Sequence, residues 1–565
     1  MPSSITFRGT RLFEPSVVVD VVNTLDTTGQ LGAKNLCVVG DFPILKPATA
    51  YKFGSGGFDL TEVYPMDAKL LTLDKIYKSS LSNASGIARS ITYVSANQST
   101  AASFALNNAS AALALTLSST YFGGQGNNLR LQLDDPSTIP AELAANADYY
   151  KLTIRAPWQD QDGVFLIDGS NHLQVTLADG DAIEVSSAGV FSYTPSGQAA
   201  QNFTLSDYSR MDELVAVLPA VLAPLALSFS DPAKLDVISF TNGTGGSINK
   251  VLHAHTAKLI ETIESFADLP FEATLAGGYE ILDDFALTAP TVAGADGGAP
   301  SDANYSTALE AVEASDLSTI TILSQDADHH ILLKSHIAAA GLLGRERNGY
   351  VGGTAGITLA NLYTGFVLPL NDERLSVCGQ SITFADHKGA RRSEGPEYLA
   401  YYLMCAQGAL PPAEPLTRKS LSIFDTTQGW SRERDSNSVA QKSVIAVKLG
   451  PSNDLEIVRS LTSYRKDNLS VNTEVSCRES IDICSKELRK FLTSELGSRI
   501  TNTTVDRVKT LAKSRLSDLR DLGAIQDFRN IAVRRTADTV FVDFDVALIE
   551  PLNFIRITAN IVAGQ

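Results

Sequence analysis

Hydrophobic and polar positions alternate strictly near the end of the chain, between Gln526 and Gln565. From Thr536 to Glu550, Val540, Val542, Phe544, Val546 and Leu548 share one face, while Phe541, Asp543, Asp545 and Ala547 share the other. Pro551 interrupts the pattern. It resumes from Asn553 to Val562, with Ile555, Ile557, Ala559 and Ile561 against Arg556, Thr558 and Asn560. A period of two marks a half-buried strand. The chain is therefore expected to close with two strands, the second running almost to its end. An apolar-faced terminal strand frays unless something pairs with it, and the expected partner is another copy of the same chain.

The other end carries a similar run. Ser16 to Asn23 is dominated by valine, which suits a pleated, half-buried surface, and a second strand is expected from Lys34 to Val39. From Met66 to about Ala105 the pattern is mixed, and the Ser/Ala/Asn-rich stretch Ser95–Ser118 predicts a loose connection or frayed helix. A β-rich region follows from Tyr121 to about Phe240, with strands predicted at Leu129–Leu133, Tyr150–Ile154, Val164–Ile167, Leu173–Leu177 and Ala182–Val185. Asp168-Gly169 and Asp179-Gly180 predict hairpin turns between them. This spacing suggests an inserted small sandwich or barrel.

From Ile248 the period becomes helical, through Val251, Leu252, His255, Leu259, Ile260 and Ile263. Pro290–Asn304 lacks periodicity and is expected to be a mobile surface loop. An α/β alternation comes next: helix Thr307–Ala314, strand Thr319–Leu323, helix Ala327–Leu343, a segment at Tyr350, helix Ile357–Tyr363 and strand Arg374–Cys378. This is the pattern of a sheet with crossover helices. Two amphipathic helices precede the final strands. In Ser480–Leu496 the stripe is Ile481, Cys484, Leu488, Phe491, Leu492 and Leu496. In Thr504–Leu522 it is Val505, Val508, Leu511, Ala512, Leu516, Leu519 and Leu522. Gly497 and Gly523 stand where C-cap glycines belong, and Thr503 or Thr504 is the expected N-cap of the second helix.

Composition changes the picture in three ways. At 565 residues the chain is too long for one core, and three or four domains are expected. A net charge of −17 argues against a general nucleic-acid binder, yet between Arg459 and Arg535 sixteen Lys or Arg stand against ten Asp or Glu. Such a basic module suggests an acidic protein partner, a solvated helix surface being the alternative. The five cysteines, Cys37, Cys378, Cys405, Cys477 and Cys484, are scattered without a CxxC, which favours packing over metal or redox chemistry. No apolar run approaches a membrane span. The first residues lack a signal peptide's apolar core, so a cytoplasmic site of synthesis is expected.

The sequence carries no recognisable catalytic motif. Gly54-Ser55-Gly56-Gly57, Gly123-Gly124-Gln125-Gly126 and Gly352-Gly353 lack the Gly-Lys-Ser/Thr end of a phosphate loop. There is no HExxH and no G-x-S-x-G. Asp326, Asp328, His329, His330 and His336 cluster in sequence, but a helix N-terminus favours Asp without any metal. Asp160-Gln161-Asp162-Gly163 opens like a calcium loop and lacks the bidentate acid. A Ser/His/Asp triad assembles in space and is not legible here. No catalytic residue, cofactor or metal is expected.

Several segments, in order, resemble the sheath proteins of contractile bacteriophage tails and related injection machines. Ser119–Leu129, reading Ser-Thr-Tyr-Phe-Gly-Gly-Gln-Gly-Asn-Asn-Leu, resembles that family's Gly-Asn segment opening a β-domain, with Gln125 where an aromatic is usual. Leu275-Ala276-Gly277-Gly278 is similar to its Leu-x-Gly-Gly stretch. Pro415-Leu416-Thr417 and Val458-Arg459-Ser460-Leu461-Thr462-Ser463 resemble the strand with its Arg-Gly-Ile-Thr-Thr pattern, from which Ser460, Leu461 and Ser463 depart. Gly523-Ala524-Ile525 and Pro551-Leu552-Asn553-Phe554-Ile555 are similar to its C-terminal domain.

The resemblance implies an α+β multidomain chain. It would have an arm at 1–25, an α/β region at 26–118, an inserted β-sandwich or barrel at 119–240, a subtilisin-like α/β central domain without protease activity at 241–425, an α+β assembly domain at 426–550 and a terminal arm at 551–565. It implies a structural, non-enzymatic subunit that polymerises in hexameric rings around a tail tube. Contraction would drive the tube through a host envelope for genome delivery. Terminal strands would be exchanged between neighbours, with Val17, Val18, Val19, Val21, Val540, Val542, Phe544, Ile555, Ile557 and Ile561 at the exchange interface. Lys486, Arg489, Lys490, Arg507, Lys509 and Lys513 are the candidates for facing the tube. The partners would be further copies, the tail tube protein, and baseplate and tail terminator proteins, with no nucleic acid and no membrane insertion. The protein would reside in the virion tail after assembly in the host cytoplasm. A baseplate or terminator component, a non-viral injection-system subunit, a hydrolase and a surface adhesin are the alternatives.

Overall fold

The computed structural model describes residues 5–7, 10–12, 34–54, 67–82, 88–108, 110–134, 149–156, 163–168, 171–228, 230–265, 270–426, 430, 433–450 and 454–553. The expected strands Val17–Val22 and Ile555–Ile561 lie outside the described residues, as do Ser55-Gly56-Gly57 and Asp160-Gln161-Asp162. The chain divides into two compact units: Met1–Phe42, Pro47–Asn97 and Ala299–Gln565 form one, and Pro43–Lys46 with Gln98–Gly298 form the other. The edges of the second unit thus fall well outside the 119 and 240 limits expected for the insert.

The first unit is organised on a seven-stranded sheet. Its strands are β1 (Lys34–Gly40), β2 (Ala50–Gly54), β3 (Ala88–Ser95), β4 (Thr319–Ile322), β5 (Asn348–Gly352), β6 (Leu375–Cys378) and β7 (Val444–Ile445). The spatial order is β7-β6-β5-β4-β1-β3-β2, parallel throughout except for β2. Every residue of β4, β5 and β6 is buried, as expected of parallel strands covered on both faces. The helices of this unit are α1 (Ala68–Ser82), α2 (Asp302–Glu310), α3 (Ala327–Leu342), α4 (Pro396–Gly408), α5 (Val475–Leu492) and α6 (Asn502–Asp521). Cys37, Val39, Ile320 and Ile322 pack with Tyr305, Leu309, Leu333 and Ile337 of α2 and α3. Leu36 points to the other face, where α4 approaches so closely that a Cβ on Gly408 would sit 2.8 Å from the Leu36 side chain.

The α/β alternation read from the sequence appears as β4, α3, β5, a helical stretch from Leu359 to Leu370 and β6. Four other expectations need correction. Ser95–Ser118 is not a loose connection: Ala101–Asn107 and Leu113–Phe122 form an antiparallel pair. Ala102, Phe104 and Leu106 alternate inward, a pattern hidden because alanine and serine serve either secondary structure. Ile248–His253 is a strand paired with Asn171–Leu177, and the helix begins only at His255. The strands on either side of Asp168-Gly169, of which Gly169 lies outside the described residues, belong to different sheets rather than to one hairpin, as do those on either side of Asp179-Gly180. Pro290–Asn304 runs over the surface as expected but is tied down, and its last three residues, Asp302–Asn304, already belong to α2. Val292 pairs with Ser103 in a β-bridge, and a Cβ on Gly294 would lie 2.6 Å from the Gly123 carbonyl oxygen.

The second unit has two separate hydrophobic clusters. Phe104, Leu115, Leu131, Leu152 and Ile154 pack with Leu259 and Ile263 in one. Leu173, Val175, Ile183, Phe191 and Tyr193 pack with Met211 and Leu214 in the other.

Helix α5 crosses the starts of the parallel strands. Glu479, Asp482, Lys486 and Arg489 recur at three- and four-residue spacing, which puts them on one face. Each meets an opposite charge at or just before a strand. Glu479 pairs with Lys34 at 2.7 Å, Asp482 with Arg374 at 2.7 Å, Lys486 with Asp316 at 3.3 Å, and Arg489 with Glu346. Lys34 and Glu479 are almost wholly buried, and Glu479 also accepts from Gln407 Nε2 at 2.9 Å. Burial pushes the Glu479 carboxyl above its ordinary range, and the Lys34 ammonium opposes that rise.

Removing one partner of such a pair strands the other charge, at a cost of about 3–5 kcal/mol. Lys34→Met is expected to lower stability to urea by that order, whereas Lys34→Met with Glu479→Leu should recover most of the loss. Equal losses in the single and double variants would show that the pair does not act as a unit.

Candidate assembly interface

The C-terminal part of the first unit is a helical pair carrying a hairpin. Gly497 and Gly523 follow the two helical segments with φ of 79° and 78°, as the sequence led one to expect of C-cap glycines. The N-cap of α6 is Thr501, whose hydroxyl accepts from the Thr504 N–H at 3.2 Å, rather than Thr503 or Thr504. On α6, Val508, Ala512, Leu516 and Leu519 are buried as the stripe predicted. The stripe expected over Ser480–Leu496 fails at its end: Phe491, in the last turn of α5, and Leu496, beyond that helix, are exposed. That helix buries a charged face instead, which a search for apolar periodicity does not register.

The hairpin consists of β8 (Asp527–Thr536) and β9 (Thr539–Ala547). The sequence pattern found β9 and missed β8, whose Arg-rich, bulged run does not alternate. Asn530, with φ of 55°, lies in that bulge. Val542, Phe544 and Val546 pack with Phe528 and Ile531 onto Cys484, Leu488, Leu516 and Leu519 of the two helices. The side chains of Val542 and Phe544 are therefore committed within the chain, and what β9 leaves free is its backbone edge. Among the described residues neither outer edge of the hairpin pairs with another strand. The solvent face is a charge ladder, in which Arg534 Nε reaches Asp543 at 3.0 Å and Asn530 donates to Asp545 at 2.6 Å.

After β9 the chain returns to the start of α5. Asn553 Nδ2 donates to Glu474 Oε1 at 3.0 Å, and Arg459 Nε donates to the same oxygen at 2.8 Å. The Ser470 hydroxyl donates to Glu550. Burial raises the Glu474 carboxyl above its ordinary range, with Arg459 opposing. The motif around Arg459 thereby acquires a physical role: Thr462 N–H bonds the Thr473 carbonyl at 3.0 Å, Ser463 N–H bonds the Leu375 carbonyl at 2.6 Å, and Arg459 holds the acid that ties down the end of the described chain. The sequence singled out Arg459 but offered no signal for Glu474.

The six basic candidates separate. Lys486 and Arg489 do not fit an outward role, because they hold α5 to the parallel sheet through Asp316 and Glu346. Lys490, Arg507, Lys509 and Lys513 are exposed, with Arg507 paired to Glu495.

The glycine-rich segment Gly123–Asn128 is a 3-10 turn held from outside rather than a phosphate cradle. Gly124 N–H bonds Asp296 Oδ1 at 2.7 Å, and Asn127 exchanges bonds of 2.8 and 2.7 Å with the Gly294 backbone. Gly278, in the second glycine motif, lies so near Ser187 that a Cβ would come within 2.7 Å of its Cα. The five cysteines are free and buried, and burial raises the Cys37 thiol to about 12.

One constellation the sequence left open does form. Ser324 Oγ lies 2.7 Å from His329 Nδ1, and His329 Nε2 lies 3.1 Å from Asp302 Oδ1. The Tyr305 ring lies over the imidazole at 4.0 Å. The Ser324 oxygen also accepts the Asp326 N–H at 3.1 Å, so its lone pair closes the turn into α3. The network ties the end of β4 to α2 and α3. His330 turns to the Ser324 carbonyl, and burial lowers it to about 4. His336 lies 3.0 Å from Arg347, and burial with that cation lowers it to about 4. The histidine cluster is thus dispersed over different partners, and among the described residues no group of three or more His, Cys, Asp or Glu is placed to hold a metal ion. No described helix is long and apolar enough to cross a membrane.

No protein-family model matches the sequence. The tail sheath protein of Bacillus phage SP01 is 20% identical over 458 residues, covering 78% of both chains. The crystal structure of a sheath tail protein from Desulfitobacterium hafniense superposes with a TM-score of 0.52 at 13% identity, covering 92% of this chain and 98% of that one. A sheath tail protein from Listeria innocua gives 0.51 at 10% identity, covering 92% and 96%. The α+β multidomain architecture is therefore one found in sheath proteins.

With the Ser324 oxygen engaged in the turn, a serine-reactive fluorophosphonate is expected to leave it unmodified. Stoichiometric adduct formation at Ser324, read by mass spectrometry, would identify a nucleophile instead.

Proposed function

We propose that this chain is the polymerising subunit of a contractile tail sheath. The observation that carries the reading is the β8–β9 hairpin: a rigidly mounted two-stranded sheet whose outer edges pair with no described strand, in a chain whose fold matches sheath tail proteins over nine-tenths of its length. An open edge offers main-chain donors and acceptors, and strand addition satisfies them without requiring a matched side-chain surface. Segments around Val17–Val22 and Ile555–Ile561 of neighbouring copies are the proposed donors. The linkage they form can persist while the subunit bodies rotate and slide, which a contracting polymer requires.

In this reading the parallel-sheet unit is the subtilisin-like body, and copies stack in hexameric rings around a tail tube in the virion, after assembly in the host cytoplasm. Lys490, Arg507, Lys509 and Lys513 face an acidic tube. Contacts made by exposed charges contribute little each and are screened by salt, which suits a sheath that must move along its tube. Contraction relaxes a metastable assembled state and drives the tube through the host envelope, with baseplate and terminator proteins at the two ends. A baseplate or terminator component, or a subunit of a non-viral injection system, is the competing reading. Copy number separates the first two from a sheath, which is the most abundant large protein of a tail.

Deletion of residues 1–22 is expected to leave a soluble monomer unable to form long tubes, and normal sheaths of that truncation in electron micrographs would sink the arm assignment. Reversing charge at Lys490, Lys509 and Lys513 should weaken assembly on the tube while leaving thermal unfolding unchanged. Undiminished co-assembly would remove the basic face from the tube contact.

A further inference from the structure

The second unit carries an apolar stretch that its own core uses on one side only. From Leu214 to Leu227, fourteen consecutive side chains lack a polar atom. They run from the short helix Met211–Val217 through a 3-10 turn at Ala220–Leu222 to the strand Leu225–Ala226, which lies at the edge of its sheet. Leu214, Leu218 and Leu222 belong to the buried cluster with Val175 and Phe191. Val217, Val221, Leu225 and Leu227 face outward, with Val221 67% and Leu225 53% exposed. Every exposed residue from Ala216 to Leu227 is apolar. Single exposed apolar residues are ordinary, whereas a contiguous patch marks an interaction site.

Charge narrows the partner. Of the chain's 46 Lys and Arg only 8 lie in the second unit, against 23 of its 63 Asp and Glu, which puts −15 of the net −17 there. Asp212 and Glu213 stand exposed on the helix that opens the stretch. Surfaces of one sign repel, so two such units are disfavoured as mutual partners, and an anionic bilayer is disfavoured for the same reason. The complement is an apolar face bordered by cations, and the first unit presents one.

On α3 and its C-terminal turn, the run Ile331–Leu343 contains a single Lys, Arg, Asp or Glu, which is Lys334. Its ammonium turns to the Leu370 carbonyl at 2.5 Å. Leu333 and Ile337 face the core of the parallel sheet. Ile331, Ser335, Ala338, Ala339 and Leu342 are exposed, and their three- and four-residue spacing makes them one face along about 16 Å of helix. Leu368, close to the carbonyls that hold Lys334, is exposed as well. A helix apolar on both faces is normally covered on both. Cations border the neighbouring helical stretch Leu359–Leu370: Lys442 Nζ lies 4.5 Å and Arg465 Cζ 5.3 Å from the centre of the Tyr363 ring. Arg465 donates to the Gln441 carbonyl and the Ser443 hydroxyl, and Lys466 beside it is exposed. Asp326 and Asp328 stand at the start of α3.

We infer that Ala216–Leu227 of one copy docks on the exposed face of α3 and Leu368 in the first unit of another copy, with Asp212 and Glu213 on the side of Lys442 and Lys466. The inference rests on the sheath reading and deepens it. The two faces differ, so the contact is heterologous and propagates head to tail into rings or helices instead of closing a two-fold dimer. It uses neither end of the chain.

The test uses the full chain. Val221→Cys and Ala338→Cys are prepared separately, mixed, and treated with a short bis-maleimide, the five native thiols being buried. A crosslinked dimer joining positions 221 and 338 is expected in the mixed polymer and not in the mixed monomer. Val221→Asp with Leu225→Asp, and Ala338→Glu with Leu342→Lys, change exposed positions only. Each pair is expected to leave thermal unfolding of the monomer unchanged and to raise the concentration needed for assembly on the order of tenfold. Lys442→Glu with Lys466→Glu should act in the same direction and less strongly. A polymer that gives no crosslink between 221 and 338, or that forms as readily from both apolar variants, would overturn the contact and leave the sheath reading standing. Crosslinks between two Val221→Cys copies would assign the stretch to a symmetric contact and overturn the α3 face. Cosedimentation of the monomer with phosphatidylcholine vesicles, abolished by Val221→Asp with Leu225→Asp, would assign it to a lipid surface and overturn the second copy. A wild-type chain that forms no polymer at all would sink the sheath reading, and this contact with it.

Discussion

The stripe of charge along α5 fixes everything downstream of it. Glu479, Asp482, Lys486 and Arg489 meet Lys34, Arg374, Asp316 and Glu346 around the entry edge of the parallel sheet. Helix α6 packs on α5, and the hairpin packs on both. Buried ion pairs are poor sources of net stability, because desolvation consumes most of the Coulombic gain. Their strength lies in what they forbid: α5 slipped by one turn would leave several charges buried and unpaired. The charge stripe therefore sets the position of the helix, and hence of the hairpin, more sharply than an apolar stripe would.

That rigidity gives the open hairpin its meaning. An exposed strand edge is ordinarily a liability, managed with charges, bulges and short length. Here β8 and β9 are both long, and they carry charge on the solvent face and a bulge at Asn530. In the proposed assembly these devices restrict which strand can be added rather than preventing addition. At the start of α5, Glu474 accepts from Asn553 and ties down the end of the described chain.

The fold was legible where one face decides the pattern. The alternation from Val540 to Val546 located β9, the apolar runs located β4 and β6, with β5 marked only as a segment at Tyr350, and the 3.6-residue stripe located α6. It was not legible where burial is achieved by other means. Ala101–Asn107 hides its alternation in small residues, and Ile248–His253 takes strand form only because Asn171–Leu177 lies beside it. Strand β8 is broken by its bulge. Lys486 and Arg489 read as free surface charge because their partners, Asp316 and Glu346, are more than a hundred residues away in sequence.

By itself the sequence determined the alternation of the closing strand, the crossover pattern of the central sheet and the C-cap glycines. These are local properties, set by side-chain period and backbone freedom, and they need no distant contact to be read. Only the tertiary structure decided that α5 faces the sheet with its charges, that Val542 and Phe544 are spent on the chain's own helices, and that Asn553 is fastened to Glu474. Each of these depends on which residues far apart in sequence share a low-dielectric interior, where a charge or an apolar face must find its complement.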